Sequence, residues 1–241
     1  MDQKVINMKN ITKVYRIGDI KVNALRGTDF TLREGEFVAL MGPSGSGKST
    51  LMNIIGALDI PTSGSYLLED IDISRLNDNQ LAEIRNKKIG FVFQTFNLLS
   101  KSNVIGNIEL PLIYSRKRSA KSRKELVSDV IKAVGLTEWI RHRPNELSGG
   151  QRQRVAIGRA LVNDPSVILA DEPTGNLDPA TSKDIMHILM EISESGQTVM
   201  MATHNYNLIK KFPSRTLKCE DAKLIGANLS EAEFDRLIQN E

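Results

Sequence analysis

Cysteine is nearly missing from this chain. Cys219 stands alone among 241 residues, which excludes an internal disulfide framework and suits a reducing compartment. An excess of one charge is missing too: 32 Lys and Arg residues face 29 Asp and Glu, a net +3, too balanced to argue for a nucleic-acid-binding protein. The locally basic run SRKRSAKSRK at 115–124 reads first as a solvated helix face. No apolar run approaches the roughly 18–20 residues that span a bilayer, and the opening MDQKVINMKN lacks the apolar stretch of a signal peptide. The expected location is the cytoplasm. No internal repeat or low-complexity tract interrupts the chain. With 40% hydrophobic and 25% charged residues, it reads as one continuous fold around a packed core.

Hydrophobic periodicity supplies the order of elements. The first 40 residues carry β-type runs ending in EFVALMG, and LMNIIGAL has helical spacing. KKIGFVFQ reads as a short strand. The stretch 95–145 is mostly helical in pattern, broken by Pro111 and by RHRPN, and reads as an inserted helical subdomain. A helix at 148–163, the buried strand SVILAD, a helix at 179–194 and the strand TVMMATH follow. That alternation predicts an α/β fold with a parallel sheet covered by helices. Ser230 and Glu233 in SEAEFDRLIQNE have the spacing of a capping box for a last short helix.

GPSGSGKST, residues 42–50, matches the phosphate-loop pattern in its expected context, with an apolar strand before it and a helix after it. Gly42, Gly45 and Gly47 let backbone N–H groups turn towards a polyphosphate, together with the amides of Pro43's successors Ser44 and Ser46 and the helix start at Lys48, Ser49 and Thr50. Lys48 is expected to reach the β and γ phosphates, and Ser49 to place its hydroxyl on Mg²⁺. In SVILADEP two carboxylates follow a buried strand, at the end where open α/β sheets bind ligands. Asp171 suits Mg²⁺, and Glu172 suits polarising the attacking water. Gln94 ends IGFVFQ and its amide suits Mg²⁺ or that water. His204, ending TVMMATH, reads as a γ-phosphate contact or as a satisfied core histidine. Tyr15 either stacks on adenine or fills a strand position. His142 and His187 have no such neighbours and read as structural.

LSGGQRQRVAIGRAL, residues 147–161, holds a second candidate anion site. Ser148 is a good N-cap, and Gly149 and Gly150 leave the next amides bare ahead of Gln151. One chain's phosphates are already enclosed by the first loop. The economical solution is that this second site completes the nucleotide pocket of another copy, with two ATP molecules sandwiched in a head-to-tail dimer.

The phosphate loop, FVFQ, LSGGQ, VILADEP, GNLD and ATH occur in this order, and over residues 4–205 the sequence resembles the nucleotide-binding subunit of an ATP-binding-cassette (ABC) transporter. GPSGSGKSTLMNIIGALDIPTSG, IGFVFQTFNLL, NIELPLIY and ADEPTGNLD most resemble the MacB and LolD group, with FtsE as a relative. The resemblance implies a P-loop NTPase core: a mostly parallel sheet with flanking helices, a small antiparallel β part and an inserted α-helical subdomain. It divides a single domain, 1–241, into an ATP-binding core at 1–94 and 158–205, a helical part at 95–157 and a tail at 206–241. It makes Tyr15 the adenine-stacking residue, residues 147–151 the signature, Glu172 the catalytic base, Asp178 a carboxylate near the partner's nucleotide, and His204 the switch histidine. Gln94 and Lys48 join the catalytic set. It also implies a membrane permease docked in the cleft beside Gln94, with Phe96, Leu98 and Leu99 as its apolar surface. The activity implied is ATP hydrolysis on the cytoplasmic face of a membrane, driving efflux or lipoprotein release, or an FtsE-like regulatory role without transport. Asn205 stands where the group has Asp, and the chain from YNLIKKF onward matches the group poorly. Neither the coiled coil nor the second cassette of nucleic-acid-associated cassettes is present.

Overall fold

The computed structural model describes residues 3–114 and 120–227. The capping box expected at Ser230 and Glu233 lies outside the described residues, as does part of the basic run at 115–124.

Three apolar runs form the centre. β3 (Phe37–Met41), β7 (Val167–Asp171) and β8 (Val199–Ala202) are buried almost throughout, the signature of parallel strands covered on both faces. Alternation then splits their side chains between two cores. Phe37, Ala39 and Met41 belong with Ile168 and Ala170 to one cluster, while Val38 and Leu40 belong with Val167 and Leu169 to the other. β6 (Ile89–Phe93), β9 (Arg215–Glu220) and β10 (Lys223–Ala227) extend the sheet, whose order is β10-β9-β3-β8-β7-β6. All its pairs are parallel except β9 with β10. A second, antiparallel sheet has the order β2-β1-β4-β5, built from β1 (Lys4–Ile17), β2 (Ile20–Arg33), β4 (Ser63–Leu68) and β5 (Ile71–Asp72). It closes over α1 (Lys48–Ile55).

α2 (Asp78–Lys88) leads into β6. On the opposite face of the main sheet, α5 (Gly149–Leu161) and α6 (Pro179–Glu194) pack together with the helical insertion, α3 (Val104–Tyr114) and α4 (Ala120–Ala133). α7 (Tyr206–Lys211) precedes β9.

Pro111 does not break its helix. α3 runs through it, because Ile108 and Leu112 are fully buried on either side and that packing outweighs one missing backbone bond. Asn107, also fully buried, accepts from Leu99 N–H and donates to the carbonyls of Leu99, Ser102 and Asn103. This ties the turn after Gln94 to α3. The main sheet extends past residue 205: β9 pairs with β3 itself, so the hairpin at 215–227 flanks the strand that leads into the glycine-rich loop at 42–50.

Candidate functional site

The phosphate loop is shaped by close approach. Gly42, Gly45 and Gly47 have φ of 146°, 78° and 109°, the region that side chains rarely adopt. A Cβ on Gly42 would fall 2.2 Å from the Cys219 carbonyl oxygen, and one on Gly47 2.7 Å from that of Ala24. Ser46 O accepts from the Cys219 thiol at 3.0 Å and from Ala222 N–H at 3.2 Å. A trans peptide whose carbonyl is held back in this way turns the Gly47 amide to the open side of the loop. Burial pushes the Cys219 thiol pKa up, so it stays a donor. Gly47 caps α1 with no side-chain bond, leaving first-turn amides for an anion. Lys48 Nζ donates to Gly42 O at 2.5 Å and Pro43 O at 3.0 Å. Among the described residues the buried Ser46 hydroxyl has no partner, as expected of a cradle built for phosphate oxygens.

The carboxylates stand where β7 ends. Burial raises the Asp171 pKa, the neighbouring Glu172 adds to the rise, and Lys48 opposes it. Glu172 sits at φ 47°, which turns its side chain back over β8. There Nδ1 of His204 lies 2.7 Å from Oε1, and the Thr203 hydroxyl donates to Oε2 at 3.3 Å. Glu172 and His204 also line a cavity of about 470 Å³ with Leu177 and Pro179. Gln94 follows β6, whose Phe93 pairs with Asp171, and its amide lies against Gly175, where a Cβ would come within 2.6 Å. Asn205 caps α7, accepting from Leu208 N–H, so the amide serves the helix as a carboxylate would.

For a metal, the donors are an exposed Ser49 hydroxyl, the Gln94 amide and the Asp171 carboxylate. These are hard oxygen ligands of the kind Mg²⁺ prefers. Among the described residues no group of three or more His, Cys, Asp or Glu forms a metal cage.

The second glycine pair has a role inside its own chain as well. A Cβ on Gly150 would meet Thr181 Cγ2 at 2.5 Å, and one on Gly149 Leu177 Cδ2 at 3.1 Å. Ser148 and Gln151 form a reciprocal capping box that takes up the Ser148 and Gln151 amides, so the open anion donors of this first turn are the Gly149 and Gly150 amides between them. Asp178 caps α6 through Ala180 N–H and both donors of Thr181, bonds that hold its carboxyl below the ordinary range. Tyr15 donates its hydroxyl to Asp59. His142 and His187 sit against Trp139 and Phe212, away from these groups.

Of the apolar surface expected beside Gln94, only Leu99 is exposed. Leu98 packs on the core, and Phe96 lies under the Arg152 guanidinium, 5.1 Å from the ring centroid. Phe96 and Asn97, at φ 61° and 48°, turn their carbonyls to Arg159, which donates to them at 2.9 and 2.5 Å. Sequence reasoning missed Arg159, Thr203 and the Cys219–Ala222 buttress. A buried threonine directly before His204 was the one local hint.

The ABC transporter family profile matches residues 25–175. An uncharacterized ABC transporter ATP-binding protein of Thermotoga maritima is 50% identical over 207 residues, 86% of this chain and 88% of that protein. A macrolide export ATP-binding/permease protein MacB of Chlorobaculum tepidum is 49% identical over 92% of this chain, which spans 34% of that longer protein. A dimeric ATP-binding cassette solved in a post-hydrolysis state, bound to ADP and Pi, superposes with a TM-score of 0.82 at 42% identity, covering 93% of this chain and 100% of that one. The chain belongs to the ABC transporter family as an ATP-hydrolysing, ATP-binding cassette.

Proposed function

We propose that this transporter ATPase subunit drives a MacB- or LolD-type membrane permease for efflux or lipoprotein release. In this reading ATP is sandwiched between the phosphate loop of one copy and residues 148–151 of a second. The carrying observation is an open groove between the core and the helical insertion. It is lined by Arg85, Phe91, Phe93, Pro111 and Arg159 and continues past Leu58 and Tyr114, which are 50% and 70% exposed. Large apolar side chains left in water beside a groove mark a docking surface. A cytoplasmic segment of the permease would seat there and hold the chain at the membrane's inner face. The 49% identity to the MacB protein supports this type of partner.

In the catalytic cycle Lys48 and the amides of residues 45–50 bind the phosphates, and Gln94 orients the attacking water. Glu172 takes the proton of that water at a carboxylate oxygen. His204 and Thr203 hold Glu172 in place until the γ-phosphate arrives. Mg²⁺, held by Ser49, Gln94 and Asp171, would neutralise phosphate charge when bound.

The test uses Leu58→Glu with Tyr114→Asp, both on exposed side chains. ATPase activity of the isolated chain should stay within about twofold, while ATPase-coupled function of the reconstituted permease complex drops about tenfold or more, as for a lost interface hot spot. Unchanged coupling would reject this groove as the docking site.

A further inference from the structure

Tyr15 is held more firmly than a strand residue at a sheet edge requires. Its hydroxyl donates to Asp59 Oδ2 at 2.7 Å. Lys13, on the same face of β1, donates to Asp59 Oδ1 at 2.6 Å and to Ile60 O at 2.8 Å. Its ammonium also stands over the Tyr15 ring, 4.9 Å from the centroid. Asp59 receives Ile60 N–H as well. Three charged or polar side chains thus converge just beyond the C-terminal end of the helix whose N-terminus faces the phosphates.

We propose that Asp59 and Lys13 are positioning residues for the nucleotide base: they lock the Tyr15 ring so that one face, the one away from Lys13, is presented to the purine. This rests on the reading of Tyr15 as the base-stacking residue. A tyrosine free to turn about χ1 and χ2 must lose that freedom when a base stacks on it, and prior immobilisation removes the loss from the binding step. The clamp also fixes spacing. Asp59, just beyond the C-terminal end of α1, ties the ring to the helix whose first turn faces the phosphates, so base platform and phosphate cradle are held at a set distance. Val22 faces Tyr15 across the strand pair and is 45% exposed, adding apolar surface beside the same ring.

Equilibrium binding of Mg-ATP and of Mg-tripolyphosphate to the purified chain separates base from phosphate recognition. Asp59→Ala should weaken ATP about five- to tenfold and leave tripolyphosphate within about twofold, the size expected for one lost charge-assisted bond. Asp59→Asn, which keeps an acceptor for the hydroxyl, should recover part of the loss. Tyr15→Phe deletes a single oxygen and serves even where Asp59→Ala folds poorly. It should weaken ATP in the same direction as Asp59→Ala, which also frees Lys13, and the double variant should be no weaker than Asp59→Ala alone, because the hydroxyl–carboxylate bond is already absent there. Equal weakening of ATP and tripolyphosphate by Asp59→Ala and Tyr15→Phe would make the clamp merely structural and overturn the proposal. ATP affinity unchanged in these variants but reduced by Tyr15→Ala would overturn it while leaving Tyr15 as the base platform. ATP affinity unchanged in Tyr15→Ala would overturn the stacking reading itself.

Discussion

Glu172 holds a left-handed backbone conformation, φ 47°, which in a non-glycine residue costs about 1–3 kcal/mol and persists only where the surroundings impose it. Here the Glu172 amide donates to Ala202 O at 2.9 Å while His204 and Thr203 fix the carboxylate. Glu172→Gln keeps the shape of the side chain but removes its basicity. The expected outcome is ATP binding within about threefold of wild type and hydrolysis reduced about 10²–10⁴-fold, the usual contribution of a general base. Calorimetry and a phosphate-release assay check the two halves. Asp59 gives a pH signature. Burial pushes its pKa up, but the bonds from Lys13 and Tyr15 outweigh this and hold it below the ordinary carboxylate value. A depressed folded-state pKa contributes stability that is present above the unfolded value and lost as pH falls through the folded one. Wild type should therefore melt above Asp59→Asn at neutral pH, and the gap should close on acidification below the ordinary carboxylate range. A gap that widens in acid would contradict the assignment.

At the scale of elements, α5 carries two tasks at its two ends. Its first turn exposes the amides of the second glycine pair, and Arg159 in its last turn binds the carbonyls of Phe96 and Asn97. Burial lowers the pKa of that guanidinium, and among the described residues no carboxylate pairs with it. The backbone at 96–97 is left-handed, so the turn after Gln94 keeps its shape through this helix and through Asn107 of α3. Arg159→Met preserves the side-chain length and leaves two carbonyls unbonded, for a loss of about 1–3 kcal/mol. A lower Tm and faster amide exchange confined to residues 95–100 are expected, with ADP affinity at the phosphate loop unchanged. Exchange as slow as wild type would mean that the turn holds itself.

At the scale of the molecule, the proposed sandwich makes a prediction about mixing. Lys48→Ala empties a chain's own phosphate loop, and Ser148→Arg blocks the anion site offered to the neighbour, so each homodimer carries two damaged pockets. In the mixed dimer both lesions fall in one pocket and the other is wild type throughout. Mixing should therefore restore ATPase activity to about a quarter of wild type, given statistical pairing and independent pockets. Ser148 also caps α5, at a helix-stability cost of about 1 kcal/mol when removed. Ser148→Ala, which lacks the cap but blocks nothing, is the control. A mixture no more active than the mean of its parents, with no ATP-dependent heterodimer on size exclusion, would reject the composite pocket.

Most of the proposed catalytic set could be read in the sequence because its geometry is local. Gly42, Gly45, Gly47 and Lys48 follow an apolar strand and open a helix. Asp171 and Glu172 end another strand, and His204 a third, so chain direction alone carries them to one edge of a parallel sheet. The parallel sheet itself followed from runs such as FVALM and VILA, too apolar to leave a face in water. Tertiary structure decided the rest. Whether Pro111 ends a helix depended on the burial of Ile108 and Leu112. Whether Phe96 and Leu98 form a surface depended on Arg152 and the core beneath them. The orientation of the Gly47 amide depends on a thiol 173 positions from its acceptor Ser46, and the hold on Tyr15 on a carboxylate 44 residues away. Such contacts follow no local periodicity, since they arise where strands and loops distant along the chain are brought together by burial of the two cores.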